Sequence, residues 1–432
     1  MKKLSFQFLT LFVFLAMISC SKKEDPLVEP DAPLTLTLKS DTGTEDFQVL
    51  GINTTATFTV IGSDGVDHTA QSQFYVNNEV IPGPTYEFNE TGEFSVLAKF
   101  NDVTSNTIKF EILEPTDRVL AIDVPKALRN QTITFTLLND QGEDTSAEAT
   151  FYVNDEPISG NTFSSPTPGA FNVKATYEAN DETFTTPAKE FSVFIPKRKV
   201  VIEDYTGTWC GFCPGVALAI DRVKEVTEDV AIVAIHKTSF SLPDPLDFAR
   251  IRELQDMFNV SDGFPKAQIN RTVAWPEPYT IGAVTSMAGN NTDVSIGIKS
   301  QLTGSNLTVN VKVVYENGST PGDKLVVYLL ENGVVSPQAN YFNETPGHPY
   351  QGLGNPIEDY VHNDALRNSL SNLFGDPIPN LPAFEMYTKD YSFSVPSNYV
   401  GENLSFVVMV VNENNSAKNA QFSGINEDKN YE

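Results

Sequence analysis

An internal repeat with a period of 77 residues restricts the fold of this chain more than any other feature. The tetrapeptide Phe-Tyr-Val-Asn stands at positions 74–77 and again at 151–154. Further identities at the same offset pair Phe58 with Phe135, Gly65 with Gly142, Gly92 with Gly169, Phe94 with Phe171, Val96 with Val173, and Ala98 with Ala175. A fixed period indicates that both segments fold as the same unit. The chain therefore contains two copies of one small domain.

Alternating apolar and polar residues predict that each copy is built from β-strands. Residues 55–60 and 94–100 alternate in this way, as half-buried strands do. Several short strands with regular turns in about 80 residues are typical of an immunoglobulin-like β-sandwich. The copies resemble the bacterial Ig-like modules of cell-surface proteins, and we place them at 34–114 and 115–196. Such modules usually act as spacers, although their loops can bind ligands.

Two acidic loops in these repeats, at 63–67 and 139–144, carry carboxylates of the kind that bind calcium. Their spacing does not match an EF-hand, which needs a loop of about twelve residues that closes on a glutamate. We therefore interpret both loops as solvated hairpin turns.

Length and charge limit the possible architectures and partners. A chain of 432 residues is too long for one ordinary core, so three or four domains are expected. The formal net charge is -27, from 56 acidic and 29 basic side chains. Such a charge repels phosphate backbones, which argues against nucleic acid as a partner.

The first 19 residues have the features of a secretory signal. Lys2 and Lys3 precede an uncharged apolar run over 6–18, which is shorter than the roughly 20 residues of a membrane-spanning helix. The segment Met-Ile-Ser-Cys at 17–20 resembles a bacterial lipobox, and this resemblance implies that Cys20 becomes the lipidated first residue. A plain signal peptide with an incidental cysteine is the alternative.

Residues 20–33 are polar, charged and rich in proline, as expected of a tether between a membrane anchor and a folded domain. The Lys-Lys-Glu-Asp cluster at 22–25 resembles the export signals of some surface-exposed lipoproteins. A merely solvated tether explains the same cluster equally well.

The pattern changes after residue 198, where an apolar strand at 200–202 runs directly into a cysteine-containing turn. The elements that follow are a helix over 216–226, an apolar strand at 230–235, a second helix over 246–258 and a strand at 266–270. Strand, helix and strand predict a parallel crossover unit. The order of elements is that of a thioredoxin-like α/β domain, which we place at 197–285.

The spacing of Cys210 and Cys213 at the start of a helix carries the predicted chemistry. Two cysteines separated by two residues can form a disulfide, and the helix dipole favours the thiolate of the first. Cys210 would attack a substrate disulfide, and Cys213 would resolve the mixed disulfide. Pro214 suits the first helical turn. An unreactive structural disulfide is the alternative.

A zinc site is a weaker interpretation of the same cysteine pair. The chain has only three cysteines, so a second pair is lacking. The four histidines, His68, His236, His348 and His362, are scattered. We therefore predict no metal site.

The same segment resembles thioredoxin residue by residue. The resemblance implies that Trp209 is the tryptophan before the first cysteine, that Cys210 and Cys213 are the redox pair, and that Asp204 is the buried acid that assists proton transfer. Because Asp204 ends an apolar strand, we expect it to be buried with a raised pKa. An ordinary solvated loop acid is the alternative.

The resemblance extends to the segment around Pro265, which would match the cis-proline beside the disulfide, so that Phe264 shapes substrate contacts. Phe212 stands where a proline is usual and Pro214 where a lysine is usual, so thioredoxin's reduction potential does not carry over. His236, at the end of a strand, is interpreted as a group that satisfies a backbone partner, with a role as proton donor as the alternative.

Strand patterns return near residue 293 and predict a third β-sandwich over 286–432. An irregular insert at 347–377 interrupts it and contains a predicted short helix at 365–370. Long loops in compact domains are often functional. His362 has no obvious second metal ligand, so we interpret the insert as a lid or contact surface.

Several motifs together resemble the outer-membrane protein 28 related lipoprotein family over 199–432. They are the lipobox, VIEDYTGTWCGFCP at 201–214, AIH at 234–236, GFPKAQINR at 263–271, DYVHNDALR at 359–367 and KNAQ at 418–421. The resemblance implies a thioredoxin-like domain followed by a β-sandwich, exported to the outer membrane of a Gram-negative cell and facing the periplasm or the surface.

Two functional hypotheses follow. The first is a lipid-anchored thiol–disulfide oxidoreductase that acts on the thiols or disulfides of exported proteins, without a cofactor and with an unidentified electron partner. The second is a surface adhesin or ligand-binding lipoprotein in which the Cys210–Cys213 pair is structural. An oxidoreductase requires an accessible first thiol, so burial of the Cys210 sulfur would count against it. The direction of exchange depends on the reduction potential and the partner.

Overall fold

The computed structural model of the protein describes residues 34–239 and 242–431. The predicted signal at 1–19, the tether at 20–33 and the lipidation site Cys20 lie outside the described residues. No helix within the described part is long and apolar enough to cross a membrane.

The first repeat is a β-sandwich of two sheets. Its three-stranded sheet has the order Leu36–Ser40, Thr54–Gly62 and Thr85–Phe88. Its six-stranded sheet has the order Phe47–Gly51, Ile108–Leu113, Gly92–Phe100, Gln73–Val76 and Glu79–Ile81, and Val103–Thr104 pairs with Gly92–Phe100.

The second repeat has the same topology. Its three-stranded sheet has the order Val119–Ile122, Ile133–Leu138 and Thr162–Phe163. Its six-stranded sheet has the order Lys126–Leu128, Lys189–Phe194, Gly169–Ala179, Ala149–Val153 and Glu156–Pro157, and Glu182–Thr185 pairs with Gly169–Ala179. The Ig-like repeat predicted from the 77-residue period is therefore confirmed.

Repeated aromatic residues fill equivalent positions in the two cores. Phe58 and Phe74 stack with ring centroids 6.4 Å apart, and Phe135 and Phe151, one period later, stack at 6.1 Å. All four are buried because successive side chains of a strand alternate between the core and the solvent. The 77-residue repeat in the sequence thus places the same aromatic residues at equivalent positions in the two cores.

Tight turns explain the acidic loops. Gly65 and Gly142 have φ angles of 76° and 73°, which glycine adopts without steric cost. The Gly62 N–H donates to Val66 O, and the Asn139 N–H donates to Glu143 O. Both loops are hairpin turns.

A single nine-stranded sheet organises the rest of the chain. Its strands, in order, are Val273–Ala274, Lys266–Ile269, Val200–Thr206, Val230–His236, Ala365–Ser369, Lys324–Glu331, Leu404–Val411 and Ala417–Gly424, and Asp376–Pro377 pairs with Lys324–Glu331. Val200–Thr206 runs parallel to Val230–His236 and antiparallel to Lys266–Ile269.

Different layers cover the two faces of this sheet. On one face the helix Ile251–Phe258 packs over Tyr205 and Tyr328. On the other, the helix Pro214–Lys224 covers Ile202, and a four-stranded sheet covers Leu325, Val327 and Leu329. That sheet has the order Met386–Ser394, Asn306–Tyr315, Val294–Thr303 and Asp428–Lys429. The remaining elements are the short helix Gly282–Thr285 and the strand pair Val334–Val335 with Val361–His362.

The large sheet continues across the boundary that we placed between 197–285 and 286–432. Ala234 pairs with Ala365, and the Ala234 N–H donates to Asp364 O at 2.8 Å. Strand Lys324–Glu331 is buried on both faces. The helix Ile251–Phe258 lies in the layer on one side, and the four-stranded sheet covers the other. The third β-sandwich therefore shares a sheet with the segment that carries the cysteines.

Three local predictions need correction. The helix predicted at 365–370 is the strand Ala365–Ser369, because its main chain pairs with Lys324–Glu331 inside the sheet. The helix predicted over 246–258 is shorter, Ile251–Phe258, and that predicted over 216–226 is Pro214–Lys224. The described chain is mostly β-structure in several domains, with little helix.

Candidate functional site

The two cysteines lie where a buried strand turns into a helix. Strand Val200–Thr206 is fully buried and ends just before the cysteine turn, and Cys213 caps the helix Pro214–Lys224. A disulfide joins Cys210 to Cys213, with Cα atoms 5.4 Å apart. Both residues are buried: Cys210 is 4% exposed and Cys213 is 2% exposed. The first cysteine is thus less accessible than a free exchange site requires.

Asp204 is buried beneath this turn. It points to the same face of the sheet as Ile202, which the helix Pro214–Lys224 covers. Asp204 and Cys213 line one cavity of about 130 Å³, together with Tyr360. Its Oδ1 has no hydrogen-bond partner among the described residues. Burial raises the pKa of Asp204 to about 8, so the carboxyl group is mostly protonated at pH 7.

Trp209 is fixed by one hydrogen bond and one aromatic contact. Its Nε1 donates to Lys237 O at 2.6 Å. Its ring stacks on Phe264 with centroids 6.0 Å apart. Lys237 also places its ammonium 5.7 Å from the centre of the Phe264 ring. These contacts therefore hold the Trp209 ring in one position next to the cysteine turn.

Pro265 lies next to the cysteine turn because of the register of the sheet. Lys266 pairs with Tyr205, so the preceding residue, Pro265, falls at the level of Thr206, where the strand ends. The peptide bond between Phe264 and Pro265 is cis. The structure thus brings together Asp204 and the other residues predicted for this site.

Surface grooves lie on both sides of Phe264. The first, of about 490 Å³, is lined by residues that include Trp209, Lys237, Arg252 and Asp262. The second, of about 810 Å³, is lined by residues that include Phe212, Pro265, Trp275, Phe342 and His348. Each groove is large enough to hold a peptide side chain.

A segment from the C-terminal part of the chain packs against the cysteine turn. We call residues 336–360 the cap. The Ala339 N–H donates to Thr208 O at 2.8 Å, and the Tyr341 N–H donates to Gly211 O at 2.9 Å. The Tyr341 ring lies so close to Gly211 that a Cβ atom added there would be 2.4 Å from it. The cap thus closes over the turn that holds both cysteines.

Side chains add to this cover. Gln338 Nε2 donates to Cys210 O at 2.9 Å and to Gly207 O at 3.4 Å. Phe212, which is exposed, packs edge-on against Tyr341 with centroids 5.1 Å apart. Gln338 and Tyr341 could not be predicted from the sequence, because they lie before the insert predicted at 347–377 and show no local pattern.

A buried carboxylate supports the turn from the other side. Asp244 Oδ2 accepts hydrogen bonds from His236 Nδ1 at 3.0 Å and from the Thr208 N–H at 2.8 Å, and its Oδ1 accepts from the Leu246 N–H at 2.8 Å. Burial alone would raise the pKa of Asp244, but these hydrogen bonds and the nearby His236 outweigh it and lower the pKa. No local pattern in the sequence marks Asp244.

The side-chain partner of His236 is therefore a carboxylate and not the backbone group that the sequence favoured, and His236 lines the same cavity as Asp204 and Cys213. Its ring lies 5.2 Å from that of His362. His362 Nε2 donates to Ser336 O at 3.2 Å. Burial, with a contribution from His236, lowers the pKa of His362 to about 4, so this ring is neutral at pH 7. His362 thus helps to hold one end of the cap.

Metal binding finds no support in the described part of the chain, where no group of three or more His, Cys, Asp or Glu side chains has a suitable arrangement.

Residues 251–429 match the family model of outer membrane protein Omp28. The matched region begins after the cysteine pair and covers less than half of the chain. It is therefore narrower than the resemblance over 199–432 that the motifs suggested. No curated protein matches this chain.

Solved structures resemble parts of the chain. HBP35 of Porphyromonas gingivalis is 20% identical, covers 54% of this chain and 77% of its own, and has a TM-score of 0.41. The fibronectin(III)-like modules of Clostridium thermocellum CbhA are 13% identical and cover 37% of this chain and 93% of their own, with a TM-score of 0.16. The D0-D1 domain of Intimin is 17% identical and covers 37% of this chain and 99% of its own, with a TM-score of 0.22. Likenesses at this level say nothing about activity.

Proposed function

We propose that this protein carries out thiol–disulfide exchange on exported proteins at the Cys210–Cys213 pair. The observation that carries the proposal is the buried Asp204 carboxyl, which shares a cavity with Cys213 and leaves Oδ1 without a partner among the described residues. Burying an unpaired carboxyl group costs stability. A purely structural disulfide has no use for a buried carboxyl group that destabilises the fold. An exchange site can use the same group as a proton donor.

The arrangement around the pair supports a thioredoxin-like fold for this part of the chain. A parallel strand pair flanks the helix Pro214–Lys224, and the antiparallel strand Lys266–Ile269 lies on the other side of Val200–Thr206. The cis peptide before Pro265 and the Trp209 ring adjoin the turn. These elements belong to the large shared sheet, so the thioredoxin-like part would not be a separate domain.

The chemistry can be followed from the disulfide state. A substrate thiolate attacks Cys210 Sγ and forms a mixed disulfide, while Cys213 leaves as a thiolate. The protonated Asp204 carboxyl gives its proton to Cys213. A second substrate thiolate then attacks the substrate sulfur of the mixed disulfide, and Cys210 leaves and takes up a proton. The substrate gains a disulfide and the protein becomes a dithiol, and the reverse sequence reduces a substrate.

We also propose that Cys20 anchors the chain by lipid to the outer membrane of a Gram-negative cell. The signal-like residues 1–19, the lipobox and the Omp28 match over 251–429 support this location. Along the chain, the two Ig-like repeats would then lie between the lipid anchor and the cysteine pair.

A second candidate is a surface-binding protein in which the disulfide is only structural. The burial of Cys210, in a turn that Gln338 and Tyr341 contact, favours it. In that case, the grooves beside Phe264 or the loops of the Ig-like repeats would carry the binding site.

Oxidative refolding separates the two candidates. The full chain is added to reduced, unfolded ribonuclease A in a glutathione buffer, and recovery of ribonuclease activity is followed over time. Exchange predicts faster recovery than in buffer alone, with the acceleration lost in Cys210→Ser. Equal rates for the wild type and Cys210→Ser would reject exchange and leave the binding protein.

A further inference from the structure

We propose that the cap, residues 336–360, is a built-in gate that must leave the disulfide before a protein substrate can reach Cys210. This inference rests on the proposed function. It offers a way to reconcile a buried first cysteine with an exchange role, because a separate segment bonds to the main chain of Cys210 and of its neighbours Thr208 and Gly211.

The cap occupies the main-chain acceptors of the cysteine turn. The N–H groups of Ala339 and Tyr341, two residues apart, bond to the carbonyls of Thr208 and Gly211. This spacing is that of an extended strand, which presents alternate N–H groups to one side. An incoming peptide that added to the turn in the same way would need these positions. The cap therefore competes directly with such a peptide.

The cap keeps its shape through its own hydrogen bonds. Asn340 Nδ2 donates to Tyr350 O and Gly354 O, both at 2.9 Å, and Asn340 Oδ1 accepts from the Phe342 N–H at 3.0 Å. The Gln338 and Ile357 main chains bond to each other in both directions. Because these bonds lie within the cap, they need not break when the cap leaves the cysteine turn.

The cap is held to the turn by hydrogen bonds from Ala339, Tyr341 and Gln338 and by ring contacts with Phe212. Tyr341, the side chain that covers Gly211, remains 59% exposed. Its contact is with Gly211 and with the ring of Phe212. The strand pair Val334–Val335 and Val361–His362 holds the base of the cap to the fold. The cap is therefore joined to the fold at its base and held against the cysteine turn by contacts that a bound peptide can replace.

Two variants open the cap by different means. Tyr341→Ala removes the covering ring, and its exposure means that no core cavity is left. Gly211→Ala places a Cβ against that ring and pushes it outward. Tyr341→Phe keeps the ring and is the matched control. Gly282→Ala is the control for the glycine change, because no atom lies within 4 Å of its added Cβ.

The measurement is the rate at which excess dithiothreitol reduces Cys210–Cys213 in the folded full chain. Samples are quenched by alkylation, and the peptide carrying both cysteines is quantified by mass spectrometry. We expect Tyr341→Ala and Gly211→Ala to react about tenfold faster than the wild type, and both controls to match it. Rates within twofold of the wild type for Tyr341→Ala would overturn the gate, even if Gly211→Ala failed to fold.

The outcome is independent of the exchange proposal because the assay needs no protein substrate. Faster reduction in Tyr341→Ala without ribonuclease refolding by any variant would retain the gate and reject exchange. Refolding by the wild type with equal reduction rates in all variants would retain exchange and reject the gate.

Discussion

Asp204 and Cys213 line the same cavity of about 130 Å³ at the start of the helix Pro214–Lys224. The carboxyl group is protonated at neutral pH because burial raises its pKa to about 8. It is therefore in the state needed to give a proton to a cysteine that leaves a disulfide. This relationship links the fold to the proposed chemistry and gives the first two predictions.

Asp204→Asn should stabilise the protein at neutral pH. The pKa of Asp204 rises from about 3.9 in the unfolded chain to about 8 in the fold, so the folded state holds an extra proton between these values. Its contribution to stability is fully present below pH 4 and is lost as the pH rises to 8. We expect the variant to be more stable by about 4 kcal/mol at pH 7 and equal at pH 4, in urea unfolding. A difference that does not change with pH would contradict this assignment.

The same substitution should slow exchange. Asparagine has no acidic proton for the Cys213 thiolate, so the step in which Cys213 leaves loses its general acid. We expect ribonuclease refolding by Asp204→Asn to be about 100-fold slower at pH 7. Full activity in a variant that is also more stable would show that Asp204 does not act in the reaction.

Asp244→Asn should destabilise the cysteine turn. The carboxylate accepts bonds from His236 and from the Thr208 and Leu246 N–H groups, and an amide cannot replace all of them. Since the pKa of Asp244 is lowered, its stabilisation is present above the unfolded value of about 3.9 and lost as the pH falls through the folded value.

We expect a loss of about 2 kcal/mol at pH 7, measured by urea unfolding, and a smaller loss in acid. The control is Asp256→Asn, at an exposed carboxylate on the helix Ile251–Phe258, which should cost less than about 0.5 kcal/mol. Equal effects of the two substitutions would contradict the role given to Asp244.

Arg271→Leu should destabilise the shared sheet. Arg271 Nε pairs with Glu203 Oε1 at 3.1 Å, and its second terminal nitrogen donates to Tyr328 Oη at 2.8 Å, all within the core. Removing one partner of a buried ion pair costs about 3–5 kcal/mol because the other charge stays buried.

We expect Glu203→Gln in the same chain to restore part of that loss, in a double-mutant cycle measured by urea unfolding. The cycle would contradict a direct ion pair if the two losses simply added.

Local patterns account for what could be predicted from the sequence. The repeat was visible because Phe58 and Phe135 occupy equivalent core positions, and the cysteine turn was visible because strand, turn and helix signals lie within a few residues of one another. Asp204 could be expected in the core because it ends an apolar strand. In each case, the residues that form the sequence pattern and the structural feature that they predict lie in the same short segment.

The features that could not be predicted depend on distant pairing. Gln338 reaches Cys210 across 128 residues, and Ala234 pairs with Ala365 without any complementary pattern in either segment. Residues 365–370 have helical spacing, but pairing within the sheet overrides that preference. The cap and the shared sheet therefore emerge only from tertiary structure.

The reduction potential of the Cys210–Cys213 pair tests the central claim most directly. The full chain is equilibrated with glutathione buffers, alkylated and analysed by mass spectrometry, with Cys210→Ser as the control. An exchange site should have a potential above about -270 mV. A potential below about -300 mV would mark a structural disulfide and contradict the proposed exchange.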